Sequence, residues 1–80
     1  MKHVNVRFFA AFREAAGVSE ADIATSAETL ADLYGELRLK YGFALKEGQV
    51  KASRNLQFAS LEETIQSGDR IVFLPPVAGG

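Results

Sequence analysis

The sequence predicts an α+β fold: one sheet of about four to five strands, covered on one face by one main helix. Three observations carry this. Val4, Val6 and Phe8 alternate with Asn5 and Arg7, the two-residue period of a half-buried strand. Leu30, Leu33, Tyr34, Leu37 and Tyr41 recur at helical spacing and share one face. Ile71-Val72-Phe73-Leu74 is apolar enough for the centre of a sheet and is stopped abruptly by Pro75-Pro76.

Taken in order, the first strand leads into Ala10–Ala16, rich in helix formers, with Gly17 suited to the left-handed end of a short helix. Ala21–Ala24 is a weak second strand, able to pair antiparallel with the first across the helical insert. The main helix is expected over Leu30–Tyr41. Thr29 caps its start, with Asp32 in the capping-box position. Arg38 and Lys40 suit the negative end of its dipole, and Gly42 terminates it. Gly35 within it costs about 1 kcal/mol relative to alanine. Gln49–Ser53 and Leu56–Ala59 read as short strands around a turn near Arg54-Asn55. Ser67-Gly68-Asp69 reads as a turn before the last strand, Arg70–Leu74.

Eighty residues make one domain, and the absence of cysteine excludes disulfides and a thiolate nucleophile. The apolar fraction of 48% and charged fraction of 24% are those of an ordinary globular domain, and a net charge of -1 gives no reason to expect nucleic acid. No apolar run approaches the ~20 residues that cross a bilayer, and the N-terminus lacks the pattern of a secretory signal, so no membrane contact and a cytoplasmic location are expected. Conventional active sites are poorly supplied. His3, the single histidine, reads as a strand-edge residue, and the Glu62-Glu63 pair as solvated surface rather than a metal site. Lys51, Arg54 and Phe58 read as exposed strand residues rather than a nucleic-acid patch.

The remaining feature is Leu74-Pro75-Pro76-Val77-Ala78-Gly79-Gly80. The plain reading of such a segment is a frayed terminus. A buried strand running into a rigid Pro-Pro, a short apolar step and two glycines allows another. The prolines hold the chain extended, residues 75–80 can reach ~20 Å, and glycines pass constrictions that other residues block. The terminal carboxylate then becomes a reactive group on a tail with its own docking domain. The expected organisation is a folded domain over 1–74 and an extended functional tail over 75–80.

The opening Val6-Arg7-Phe8-Phe9-Ala10-Ala11-Phe12-Arg13-Glu14-Ala15-Ala16-Gly17, the Gly68-Asp69 turn and the Pro-Pro-Val-Ala-Gly-Gly close resemble the MoaD family, ubiquitin-like β-grasp proteins that serve as sulfur carriers in molybdenum cofactor biosynthesis. The resemblance spans essentially the whole chain, and the closing motif is its specific part. It implies a mixed β-grasp sheet and a chain that is not catalytic alone. A ubiquitin-activating-like adenylyltransferase would use ATP to convert the Gly80 carboxylate to an acyl-adenylate, and a sulfur donor would then leave a thiocarboxylate there. The tail would enter the large subunit of molybdopterin synthase, in a heterotetramer, and give its sulfur to cyclic pyranopterin monophosphate. Gly80 would carry the group, Gly79 would provide clearance, and Pro75, Pro76, Val77 and Ala78 would position the tail. Leu74 would add apolar contact at the partner interface. No cofactor or metal bound by this chain is implied, and the glycine pair needs no processing if Gly80 is the natural end.

Three positions depart from the commonest family pattern: Ala78 where Ser or Thr is frequent, Arg70 where an acid is common, and Ser53-Arg54-Asn55 in place of an apolar residue before Asn. Arg54 and Arg70 bear on how the activating enzyme or partner is recognised. A carrier for another route (thiamine thiazole, cysteine or tRNA thiolation) would share the fold and the glycine pair; the Pro-Pro-Val context and the opening segment favour molybdopterin. A ubiquitin-like protein modifier would use the same activation but end in an isopeptide bond. A plain interaction domain would tolerate loss of Gly79-Gly80.

Overall fold

The computed structural model describes residues 1–76. Five strands, β1 (Lys2–Phe8), β2 (Glu20–Thr25), β3 (Lys51–Arg54), β4 (Gln57–Ala59) and β5 (Arg70–Leu74), form one mixed sheet in the order β2-β1-β5-β3-β4. β1 and β5 are parallel at its centre, and the other pairings are antiparallel. Helix α1 (Ala10–Ala16) links β1 to β2, and helix α2 (Leu30–Tyr41) packs on one face of the sheet. The expected α+β architecture, with β5 central, is what forms.

The pattern of burial follows the sequence periodicity. Val4, Val6 and Phe8 of β1 and Ile71 and Phe73 of β5 meet the α2 stripe Leu30, Leu33, Tyr34 and Leu37, all almost completely buried. Aromatic rings complete the core. Phe12 and Phe43 meet edge to face with centroids 4.9 Å apart, and Tyr34 and Phe73 at 5.2 Å; such pairs contribute about 0.5–1.5 kcal/mol beyond their burial. The Thr29 hydroxyl accepts from the Asp32 N–H at 3.1 Å, and Gly42, at φ +74°, closes the helix with its N–H on the Arg38 carbonyl.

The bounds of β3 and β4 differ from expectation. Gln49 lies in a 3-10 turn, Glu47–Gln49, so β3 begins two residues later and runs to Arg54. The cause is local: the Gln49 side chain accepts from the Lys46 N–H at 3.0 Å while the Gln49 N–H donates to the Lys46 carbonyl. The turn between β3 and β4 is Asn55-Leu56, one residue later than expected, with φ of +54° and +71°. β4 therefore starts at Gln57 rather than Leu56.

Candidate functional site

The site is built where β5 leaves the sheet. β5 is held on both sides, parallel to β1 and antiparallel to β3, and its last residue, Leu74, lies opposite Lys51. Pro75 and Pro76 cannot extend the ladder, so the chain departs there. Leu74 and Pro75 are half-buried and Pro76 is exposed. A groove of about 570 Å³ opens at this exit, lined by Lys51, Ala52, Phe58, Ala59, Ser60, Leu74 and Pro75. Apolar side chains dominate it, and Phe58 is 83% exposed. An aromatic ring this exposed, beside the root of the tail, is a surface suited to an apolar partner.

The groove wall is fixed from two directions. Ser53 of β3 pairs with Phe58 of β4, which directs that ring away from the helix-covered face. Ser60 begins the loop that ties the sheet to α2: Leu30 N–H donates to the Glu63 carbonyl at 3.0 Å and Ala31 N–H to the Leu61 carbonyl at 2.8 Å. The Ser60 hydroxyl donates to the exposed Glu62 carboxylate and holds its pKa below the usual range. At the far end of β5, Asp69 accepts from Asn55 Nδ2 at 3.0 Å and from the Gln66 N–H at 2.8 Å, and it faces Arg54 Nε at 3.4 Å.

Of the residues the sequence singles out, Leu74 and Pro75 lie together in the groove wall and Pro76 follows them. Val77, Ala78, Gly79 and Gly80 lie outside the described residues. Arg54 is engaged within the fold: it donates to the Thr64 carbonyl at 2.8 Å and faces both Asp69 and Glu63. Arg70 remains exposed. Sequence reasoning missed the groove residues Ala59 and Ser60 and gave Lys51 and Phe58 no role at the tail. The signal was the phase of β4, where small Ala59 turns toward the core and large Phe58 turns out; only the β3–β4 register reveals it.

Among the described residues, no group of three or more His, Cys, Asp or Glu is placed to hold a metal ion. No described helix is long and apolar enough to cross a membrane.

Comparison with known proteins gives the arrangement its context. The sequence profile of the ThiS family matches residues 6–80. A curated relative, the molybdopterin synthase sulfur carrier subunit of Haemophilus influenzae, is 38% identical over 96% of this chain and 99% of its own. In a protein–protein complex of subunits 1 and 2 of molybdopterin-converting factor from Helicobacter pylori, the matching chain is 32% identical with a TM-score of 0.65, covering 98% of this chain and 99% of that one. The solution structure of small archaeal modifier protein 1 from Methanosarcina acetivorans is 30% identical with a TM-score of 0.79, covering 100% and 98%. The fold is the ubiquitin-like β-grasp of the sulfur carriers, and the chain belongs to the ThiS family.

Proposed function

We propose that this chain is the sulfur-carrier subunit of a molybdopterin synthase, with the Gly80 carboxylate as its working group. The observation that carries this reading is a full-length match to sulfur carrier subunits of that enzyme, within a family match that runs through the Gly79-Gly80 end. The β-grasp domain over 1–74 serves as the docking body, and residues 75–80 as the tail that reaches the reaction. The central position of β5 and the Pro75-Pro76 stop support that division.

The chemistry follows from the carboxylate. A carboxylate is a poor electrophile. An adenylating partner, similar to the ubiquitin-activating type, joins it to the AMP portion of ATP with release of pyrophosphate. The resulting mixed anhydride has a good leaving group, and a sulfur donor displaces AMP to leave a thiocarboxylate on Gly80. Its sulfur is a good nucleophile at neutral pH. Delivered into the large subunit, it bonds to a carbon of cyclic pyranopterin monophosphate; water then cleaves the Gly80 acyl–sulfur bond and returns the Gly80 carboxylate, and two such transfers build the dithiolene. Gly79 provides clearance, and Pro75, Pro76, Val77 and Ala78 set the direction of approach. Leu74 and the groove beside it provide apolar contact for the partner, in a heterotetramer of small and large subunits.

Intact-mass spectrometry tests this reading after incubation with activating enzyme, ATP and sulfide. Replacing the terminal OH by SH adds ~16 Da, which oxidation of Met1 also adds, so alkylation and fragmentation must locate the sulfur on Gly80. A labile thiocarboxylate there is the expected result; no such species with any cognate activating enzyme sinks the carrier mechanism. The similarity to small archaeal modifier protein 1 favours a second reading, a protein modifier. That reading predicts higher-mass lysine conjugates instead of a free thiocarboxylate.

A further inference from the structure

Burial divides the sheet into two faces. Val4, Val6, Ile71 and Phe73 turn toward α2, so their neighbours along each strand turn to the open side. Those neighbours form level rows. Glu20, Arg7, Val72 and Ser53 stand side by side, and Phe58 pairs with Ser53 at the β4 edge. One step along the strands lie Asp22, Asn5 and Arg70; one step the other way lie Leu74 and Lys51. Charge is therefore segregated across this face. The carboxylates Glu20 and Asp22 occupy β2, the cations Lys51 and Arg70 occupy β3 and β5, and half-buried Val72 and Leu74 lie between those cations. Glu20 faces Arg7 at 3.7 Å and Asp22 accepts from Asn5 Nδ2 at 3.0 Å, yet both carboxylates remain exposed. Among the described residues, neither Lys51 nor Arg70 has an ion-pair partner.

We propose that this face is self-complementary and pairs with a second copy of the chain, the carboxylates of β2 lying over the cations of β3 and β5. Two identical chains close most simply about a twofold axis, so that every contact occurs twice. With the axis along the strands and midway between β1 and β5, β5 of one copy covers β1 of the other, and β3 covers β2. Rows keep their level under that rotation. Glu20 then lies one step from Lys51 of the second copy, and Arg70 meets Asn5 with Asp22 beside it. Val72 meets the apolar stem of Arg7. An axis over β5 would instead bring Arg70 toward its own counterpart and leave the acids over Phe58, so charge selects the first arrangement. Sheets packed face to face stand ~10 Å apart, a gap that these long side chains bridge. Five strands at ~4.8 Å spacing and the five residues of β5 give a flat area of roughly 400 Å². That is small for a specific interface, so the pair is weak, with a Kd on the order of 100 µM. The inference does not depend on the carrier reading. Because Lys51 and Leu74 also line the groove at the root of the tail, pairing covers that groove in both copies.

The test is sedimentation equilibrium of the full chain from about 10 µM to about 1 mM, at about 50 mM and about 500 mM NaCl, where charge screening differs strongly. At low salt the mass is expected to rise from the 8.7 kDa of one copy toward twice that value across the range. High salt should weaken pairing about tenfold. Lys51→Glu/Arg70→Glu alone and Glu20→Lys/Asp22→Lys alone should each pair about tenfold or more weakly at low salt, because like charges then face each other. Mixed in equal amounts, the two variants should pair again with near wild-type affinity, since each supplies the charges that the other lacks. Mixing would not repair damage to the fold of either chain. If a charge reversal prevents folding, Lys51→Gln/Arg70→Gln keeps the test decisive: it should pair more weakly at low salt and respond less to salt. A wild type that stays at 8.7 kDa up to about 1 mM overturns the proposal and leaves the face to a different chain. So does pairing that no charge variant weakens, or a mixture of the two folded, reversed variants that stays monomeric.

Discussion

At the scale of single residues, the turn at Asn55-Leu56 joins two opposite conditions. Both residues have positive φ, as a two-residue hairpin turn requires. Asn55 suits it: its N–H and side-chain oxygen bond the Arg70 backbone, each at 2.8 Å, and its Nδ2 reaches Asp69 at 3.0 Å. Leu56 does not, since leucine in the left-handed region carries a cost of roughly 1–2 kcal/mol and this side chain is 84% exposed. Leu56→Gly should therefore stabilise the fold by about 0.5–1 kcal/mol, the relief of strain exceeding the entropy that glycine adds to the unfolded chain. Asn55→Ala should destabilise it by about 1–3 kcal/mol, because the buried Asp69 carboxylate loses a donor. Urea titrations of the two variants check both signs; a destabilised Leu56→Gly would show that the leucine makes contacts worth more than its strain. The same position explains one error of sequence reading. Leucine fits a strand and rarely adopts positive φ, so Leu56 reads as part of β4, and the register that turns Phe58 outward is hidden from the sequence.

At the scale of elements, α2 was the most legible part of the chain, because stripe, cap and terminator all agree over Leu30–Tyr41. The 3-10 turn was not legible, since its cause is the Lys46–Gln49 exchange rather than any periodicity. Nor does the stripe reveal what Tyr34 does. Its ring is part of the core, while its hydroxyl donates to the Leu45 carbonyl at 2.6 Å and ties α2 to the segment before β3. Burial pushes the phenol above its usual pKa of 10.0, partly offset by the Arg38 charge. The folded value lies above the unfolded one, so the stabilising effect is complete below pH 10.0 and is lost as pH rises through the folded value. Stability should therefore fall more steeply above that pH in the wild type than in Tyr34→Phe. The variant should also lose about 1 kcal/mol at neutral pH, where the Leu45 carbonyl loses its donor. Denaturant midpoints measured from about pH 8 to about pH 11 check this, the window in which an ordinary phenol begins to ionise. Parallel curves for the two proteins would show that the phenol leaves the core before it ionises.

At the scale of the whole molecule, the core and the proposed reactive group occupy different parts of the chain. Every residue of the described core falls between Val4 and Phe73, and β5 ends at Leu74. The architecture was legible because strand, helix and strand patterns each announce themselves locally. The docking groove was not, because it is assembled from β3, β4, the loop after them and the end of β5. The candidate reactive group was legible only through the closing motif, since a pair of glycines has no physical signature of its own. This separation makes a prediction that neither a structural tail nor an inert one shares. Removing Gly79 and Gly80 takes away none of the described core contacts, so its effect on stability should be within about 0.5 kcal/mol. In a domain of 80 residues that corresponds to a shift in Tm of less than about 4 °C. The same deletion should abolish sulfur loading completely, because the carboxylate it exposes is attached to Ala78 and no longer lies at the end of the two-glycine approach. Scanning calorimetry and intact-mass spectrometry on one preparation give both readouts. A large fall in Tm would make the last residues part of the fold. A normal Tm with sulfur still loaded would mean that the activating partner reads the docking surface alone and accepts any carboxylate delivered to it.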